Sequence, residues 1–156
     1  MDEALEVRMG DRLRERGLTL ATAESCTGGL IGHRITEVAG SSDYYVGSIV
    51  AYSNEIKVDL LHVSRDTLAE HGAVSRATAL EMARGARSVL SADLALSVTG
   101  IAGPGGETPE KPVGLAYIGL AAPDGGWVAR HVWSGDRHAH QAPSAQAALD
   151  LLIFHR

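Results

Sequence analysis

Hydrophobic residues recur along this chain at two spacings, one typical of helices and one typical of strands. A helical spacing begins with Leu5, Met9 and Leu13 in a charged stretch and ends at Gly17, and the clearest helical pattern covers residues 75–90. The other predicted helices cover residues 27–38 and 54–61, a short turn at 66–70, and a last amphipathic segment at 145–153.

Short apolar or β-branched runs predict five strands between these helices. They cover residues 18–23, 46–52, 94–98, 115–120 and 127–133. The last two flank the sequence PDGG, which is typical of a hairpin turn. Because strands alternate with helices up to this hairpin, we expect one domain over residues 1–156, an α/β sandwich with a mixed, partly parallel sheet.

Composition and charge restrict the class of protein. The 156 residues carry a net charge of −5 and no run of Lys or Arg, so direct nucleic-acid binding is not expected. A small anionic ligand remains compatible, because backbone amides bind anions without net positive charge. The single cysteine, Cys26, fits a reducing compartment, and the charged amino-terminal sequence does not resemble a signal peptide. Since no apolar run has the roughly 18 residues of a membrane span, we expect a cytoplasmic protein without membrane association.

Three polar or glycine-rich segments follow predicted strands, at the position where α/β sheets bind ligands. They are AESCTGG at 23–29, AYSNEIK at 51–57 and SVTGIAGPGG at 97–106. The first places Ser25 and Thr27 before a helix, either as N-cap residues or beside free amides that hold an oxyanion or a phosphate. Cys26 is an alternative nucleophile, although a lone cysteine is more often a small buried residue.

Lys57 lies in the first turn of a predicted helix, where the helix dipole and burial both disfavour a charged amine. A neutral lysine can act as the base that activates a serine, whereas an exposed lysine would have no such role. Tyr52, at the end of a strand, is either an ordinary strand aromatic or a group that relays or stabilises the proton. The long glycine-rich segment is either a flexible lid or the wall of a site, and it carries neither a P-loop nor a dinucleotide-binding motif.

A metal site is not expected. Asp136, His138 and His140 lie close together, but the chain has no HExxH or CxxC motif and no second cluster at ligand spacing. Glu24 and Asp136 show no pairing typical of catalytic acids, so both are interpreted as structural carboxylates.

Seven motifs occur in the order found in the CinA C-terminal domain family: ESCTGG, AGSSDYY, YSNEIK, EHGAVS, SVTGIAGPGG, KPVG and SGDR. The chain resembles this family from about Leu13 to Leu152, and its stand-alone members resemble nicotinamide-nucleotide amidases of the PncC type. The resemblance implies a three-layer α/β/α fold. It also implies hydrolysis of nicotinamide mononucleotide to nicotinate mononucleotide and ammonia, without metal or organic cofactor.

The resemblance also implies roles for individual residues. Ser25 corresponds to the family's nucleophile, Lys57 to its base and Tyr52 to an orienting or relaying group. The oxyanion is expected against backbone amides around Thr27, Gly28 and Gly29. Candidates for binding the rest of the nucleotide, above all its phosphate, are Ser41, Ser42, Thr99, Gly100, Ala102 and Gly103, with Arg137 as a charged partner.

The chain departs from the family after SGDR, where HAHQAPSAQ replaces an arginine-rich segment and Pro143 falls where a helix is expected. This departure leaves the start of the last helix open. It also favours an alternative function, a non-catalytic nucleotide-binding or protein-interaction module linked to competence or DNA damage. In either case the expected ligand is a small nucleotide, and a homo-oligomer is compatible with the family.

Overall fold

The computed structural model describes residues 3–155, which form six α-helices, one 3₁₀ turn and five strands. The helices are α1 (Leu5–Arg16), α2 (Leu30–Thr36), α3 (Asn54–Leu61), α4 (Arg65–His71), α5 (Arg76–Val89) and α6 (Arg137–Phe154), and the 3₁₀ turn is Ser41–Asp43. The strands are β1 (Leu20–Glu24), β2 (Tyr45–Val50), β3 (Leu94–Gly100), β4 (Leu115–Ala122) and β5 (Gly125–Val132). None of the helices within this described range is long and apolar enough to cross a membrane.

The five strands form one mixed sheet in the order β2-β1-β3-β4-β5. Strand β1 pairs in parallel with β2 and with β3, whereas β3, β4 and β5 pair antiparallel. Glu24, the last residue of β1, is in register with Val50 and with Val98. The carboxyl ends of β1, β2 and β3 therefore meet at one edge of the sheet, which brings together the three segments singled out by the sequence.

The two faces of the sheet bury different side chains. Leu94, Leu96 and Val98 of β3 belong to the core cluster that includes α1, α2 and α6, whereas Ala95 belongs to the cluster that includes α5. Small residues on the second face let α5 approach closely, since a Cβ added at Gly119 would lie 2.7 Å from the carbonyl oxygen of Ala79. Helices thus cover both faces, and the predicted three-layer α/β/α sandwich with a mixed sheet is confirmed.

Two helix starts differ from the sequence prediction. Helix α2 begins at Leu30 rather than at residue 27, because the preceding residues form turns with left-handed backbone at Gly28 and Gly29. Helix α6 begins at Arg137, capped by the Asp136 side chain, and continues through Pro143. A proline inside a helix removes one backbone hydrogen bond. Burial of the following turns, with Ser144 accepting a bond from the Trp133 indole, offsets that loss.

Helix α5 packs closely against the end of α3 at Gly85. An alanine methyl at this position would overlap the backbone carbonyl of Leu61. We expect Gly85→Ala to lower the free energy of unfolding by about 2–3 kcal/mol, as overpacking does, despite the higher helix propensity of alanine. Urea denaturation measures this loss, with the exposed Ser88→Ala in the same helix as the control. An unchanged midpoint for Gly85→Ala would contradict this close packing.

Candidate active site

Ser25 and Lys57 meet at the carboxyl edge of the parallel strands. Ser25 directly follows β1, and its amide donates to the Val98 carbonyl of β3. Lys57 lies in the first turn of α3, which begins only four residues after β2 and is capped by the Ser53 hydroxyl. The Lys57 Nζ and the Ser25 Oγ are 3.2 Å apart. The two groups are therefore within direct proton-transfer distance.

The amine of Lys57 is buried, with 1% of the residue exposed. Its other hydrogen bonds go to the carbonyl oxygens of Ala51 and Tyr52, each at 3.0 Å. No carboxylate among the described residues forms an ion pair with it. Desolvation by burial lowers the pKa of Lys57 below its ordinary value. In the neutral form, the two amine hydrogens can donate to the carbonyls, which leaves the lone pair for the Ser25 hydroxyl.

Glu24, next to the nucleophile in sequence, is fully buried. Its carboxylate accepts hydrogen bonds from the amides of Ile31 and Gly32, each at 2.9 Å, and from the hydroxyls of Thr22 and Thr27. A carboxylate at this position caps the positive end of α2. Glu24 thus has the structural role expected from the sequence, and it holds the turn between β1 and α2.

Neither Ser25 nor Thr27 is the N-cap of α2, since that position is Gly29 and has no side-chain cap. Because Glu24 occupies the first-turn amides, the oxyanion donors expected at the helix terminus are not available there. The Gly28 amide also has a partner, the Ser25 carbonyl. The amides of Cys26, Thr27 and Gly29 donate to no other residue of the described chain. The Cys26 amide directly follows the serine, and the Thr27 and Gly29 amides are two of the three predicted donors, whereas the Gly28 amide is already paired.

The thiol of Cys26 is not activated. Burial raises its pKa to about 11, so the thiol stays protonated near neutral pH. A Cβ added at Gly100 would lie 3.1 Å from the Cys26 Sγ, which shows how tightly the thiol packs against β3. Cys26 is therefore a half-buried, protonated thiol packed against β3, which does not fit the role of a nucleophile.

Tyr52 and Arg137 lie together at the mouth of the cleft. The side chain of Tyr52 is exposed (65%), and its hydroxyl is 3.4 Å from an Arg137 guanidinium nitrogen. The Arg137 Nε donates to the Gly103 carbonyl at 2.7 Å. Tyr52 thus orients Lys57 through its backbone carbonyl, whereas its hydroxyl contacts Arg137 rather than Ser25 or Lys57.

The glycine-rich segment after β3 forms one wall of a cleft of about 240 Å³. The backbone amides of Ala102, Gly103, Gly105 and Gly106 donate to no other residue within 3–155, and the three glycines have φ between +73° and +86°. Thr99 is buried and donates its hydroxyl to the Ala73 carbonyl, which fixes the opposite wall. Unpaired amides beside a guanidinium are typical of an anion-binding site.

The structure does not bring every predicted residue to this cleft. Ser41 and Ser42 lie before β2, whose first residue is in register with Leu20 at the amino end of β1. They are therefore at the opposite edge of the sheet, and their predicted contact with the substrate is corrected. Thr27 is buried against Glu24, and Gly28 and Gly29 shape the turn without lining the cleft. Thr99, Gly100, Ala102, Gly103 and Arg137 do line it.

Several cleft residues were missed by the residue-by-residue interpretation of the sequence: Asn54, Ala73, Val74, Ile101, Gly105 and Gly106. The EHGAVS and SVTGIAGPGG motifs contain five of them, so their motif membership was the available signal.

The side chains considered for a metal site have other roles. Asp136 caps α6 and His140 bonds to the Ala102 carbonyl. Residues 3–155 hold no group of three or more His, Cys, Asp or Glu side chains placed to bind a metal ion.

Comparison with known proteins gives a family match over nearly the whole chain. The model of the CinA C-terminal domain matches residues 2–154. A CinA-like protein of Citrifermentans bemidjiense is 53% identical over 150 residues, which are 96% of this chain and 36% of that protein. A CinA-like protein of Geobacter sulfurreducens is 52% identical over 97% of this chain and 37% of its own length. The chain thus spans little more than a third of these relatives.

Solved structures show the same architecture. A competence/damage inducible protein from Agrobacterium tumefaciens has a TM-score of 0.86 and 41% identity, with 98% of this chain and 96% of that chain covered. A CinA superfamily protein from Klebsiella pneumoniae has a TM-score of 0.91 and 34% identity, with 95% and 92% covered. The fold and the family are established by these matches, whereas the names of these proteins state no reaction.

The lowered pKa of Lys57 predicts a pH-dependent stability. The native state releases this proton at lower pH than the unfolded chain, whose lysines titrate near 10.4. Between the two pKa values the unfolded state binds more protons, so the free energy of unfolding rises with pH, by up to about 1.4 kcal/mol per pH unit. The free energy of unfolding of the wild type, minus that of Lys57→Met, should therefore grow as the pH is raised toward about 10.

Urea denaturation over a pH series measures this difference. Lys111→Met is the matched control, because Lys111 is only partly buried and bonds to the His71 carbonyl. Its difference from the wild type should not change with pH in the same way. A constant difference for Lys57→Met across the series would show that the buried amine does not titrate abnormally.

Proposed function

Since the chain belongs to the CinA C-terminal domain family, we propose that it is an amidase that hydrolyses nicotinamide mononucleotide to nicotinate mononucleotide and ammonia. The observation that carries this proposal is the contact of 3.2 Å between the Ser25 hydroxyl and a buried lysine amine that has no carboxylate partner within residues 3–155. This pair has the chemistry of a serine nucleophile with a neutral lysine base, which is suited to acyl transfer.

The first half of the reaction forms an ester on the enzyme. The Lys57 amine accepts the Ser25 proton while Oγ attacks the carboxamide carbon, and the carbonyl oxygen becomes an oxyanion. The free amides of Cys26 and Thr27 lie beside the nucleophile in sequence and are the donors best placed to stabilise it. The protonated Lys57 then gives its proton to the amide nitrogen, and the C–N bond breaks to release ammonia.

The second half regenerates the serine. Water attacks the ester carbon while Lys57 takes a proton from it, and the same amides stabilise the second oxyanion. Lys57 returns this proton to Oγ as the acyl–oxygen bond breaks, which releases nicotinate mononucleotide. Each proton moves through one amine, so the mechanism needs no second acid or base.

The walls of the cleft support an anionic substrate. Among the described residues that line it there is no Asp or Glu side chain. Its ionisable side chains are Lys57, Arg137, Cys26 and Tyr52. Arg137 is exposed at the mouth beside the unpaired amides of the glycine-rich segment. We assign the substrate phosphate to this group, with the carboxamide at Ser25.

A first assay tests the nucleophile. Purified protein incubated with nicotinamide mononucleotide should release ammonia, and Ser25→Ala should lower the rate at least about 1,000-fold because no covalent intermediate can form. Ser88→Ala, an exposed serine on α5, is the control and should retain the wild-type rate. A wild-type rate in Ser25→Ala would reopen Cys26 as the nucleophile. Nucleotide binding by the wild type without ammonia release would favour the non-catalytic alternative.

A second assay tests the phosphate contact of Arg137. We expect Arg137→Ala to raise the KM for nicotinamide mononucleotide about tenfold or more, the usual cost of a lost charge-assisted hydrogen bond. Nicotinamide riboside lacks the phosphate, so its kcat/KM should change far less. Arg84→Ala is the control, because Arg84 lies near the β4–β5 turn at the other edge of the sheet. Equal losses for both substrates would contradict the assignment.

A further inference from the structure

The first turns of α6 hold two of the backbone segments that line the cleft. Gln141 Nε2 donates to the Cys26 carbonyl at 3.1 Å, in the turn that carries the nucleophile. His140 Nδ1 is 2.8 Å from the Ala102 carbonyl, and Arg137 Nε donates to Gly103, both in the glycine-rich segment. The three side chains stand three and four residues apart, on one face of the helix. This face therefore connects two parts of the site that are distant in sequence.

Gln141 bonds to the central peptide of the nucleophile turn. The Gly28 amide donates to the Ser25 carbonyl, which closes a four-residue turn around the Cys26–Thr27 peptide. The two common forms of such a turn differ by a flip of this central peptide, and the flipped form needs a positive φ at the third residue, which Thr27 does not have. Because the peptide is planar and trans, fixing the Cys26 carbonyl also fixes the Thr27 N–H, which points the opposite way. Gln141 thus anchors the peptide that carries an unpaired amide near Ser25 and limits how far this amide can tilt.

His140 fixes the glycine-rich segment in the same manner. Its ring is buried (5% exposed), and since a carbonyl can only accept, Nδ1 carries the hydrogen that goes to Ala102. The Ala102 carbonyl and the Gly103 N–H belong to one peptide, so the bond also directs that unpaired amide. Glycine at 103, with φ of +73°, has the backbone freedom to lose this direction without such an anchor.

We infer that Gln141 and His140 are positioning residues of the proposed amidase, each acting on a different step. Gln141 orients the amide beside the nucleophile and so acts on the chemical step. His140 orients the glycine-rich segment and so acts on binding of the anionic substrate. Both belong to the segment HAHQAPSAQ, in which the chain departs from the arginine-rich sequence of the family. This inference rests on the proposed function for its kinetic readout.

Steady-state kinetics with nicotinamide mononucleotide separates the two roles. Gln141→Ala should lower kcat at least about tenfold and leave KM nearly unchanged. Complete deletion of an oxyanion donor lowers kcat roughly 100-fold, and loss of its orientation should cost a part of that. His140→Ala should instead raise KM about tenfold with a smaller change in kcat. His140→Asn places an amide nitrogen near the position of Nδ1 and should restore KM toward the wild-type value. Equal effects of Gln141→Ala and His140→Ala on both constants would overturn the inference.

Matched controls come from the same helix. Gln146 is exposed and bonds only to Asp150, and His138 is exposed, so Gln146→Ala and His138→Ala should leave both constants unchanged. If Gln141→Ala does not fold, Gln141→Glu keeps the shape of the side chain and removes the donor. It should show the same loss of kcat, and wild-type kcat in that variant would overturn the role of Gln141.

A second measurement is independent of the substrate assignment. A fluorophosphonate labels an activated serine and places its phosphoryl oxygen where an oxyanion would lie. Ser25 labelling should slow at least about tenfold in Gln141→Ala and remain at the wild-type rate in Gln146→Ala. Labelling of the wild type without ammonia release would reject the proposed reaction while the role of Gln141 stands. An unchanged labelling rate in Gln141→Ala would reject that role whatever the substrate.

Discussion

A buried lysine amine, with no carboxylate partner in the described part of the chain, is the constraint on which the rest of the site depends. Burying a charged amine costs several kcal/mol unless it is paired or neutral. Here the Ala51 and Tyr52 carbonyls and the Ser25 hydroxyl are its partners, and desolvation lowers the pKa of Lys57. Both carbonyls lie in the short connection between β2 and α3, so the chain must enter the helix directly after the strand.

The nearest acidic side chain in sequence to the nucleophile is kept out of this arrangement. Glu24 is satisfied by the Ile31 and Gly32 amides and by two threonine hydroxyls. A carboxylate bonded to Lys57 would favour the charged amine and keep it protonated, so no lone pair would be left to accept the Ser25 proton. The same buried glutamate also takes up the positive end of α2, which leaves the oxyanion to the amides of the turn before the helix.

An acidic protein can still offer an anion a favourable cleft. The net charge is −5, yet the walls near Ser25 consist of unpaired amides, the Arg137 guanidinium and small residues. Backbone dipoles of this kind act over a few ångströms and do not depend on the net charge of the molecule. Side chains of α6 bond to the peptides that carry these amides, and in our proposal they set the directions of the N–H groups. Catalysis in the proposed mechanism therefore depends on a helix that contributes little to the cleft surface.

The fold class, most of the helices and strands, and the candidates Ser25 and Lys57 were predicted from the sequence. Helix α3 was predicted with its observed bounds because its signals are local, with Ser53 as the cap and a strand just before it. Three features became evident only in the folded chain: Ser41 and Ser42 lie at the opposite edge of the sheet, α6 starts at Arg137, and Gln141 reaches Cys26. Local patterns report the backbone conformation of a segment. Contacts between distant segments follow from strand order, register and side-chain reach, which no local pattern contains.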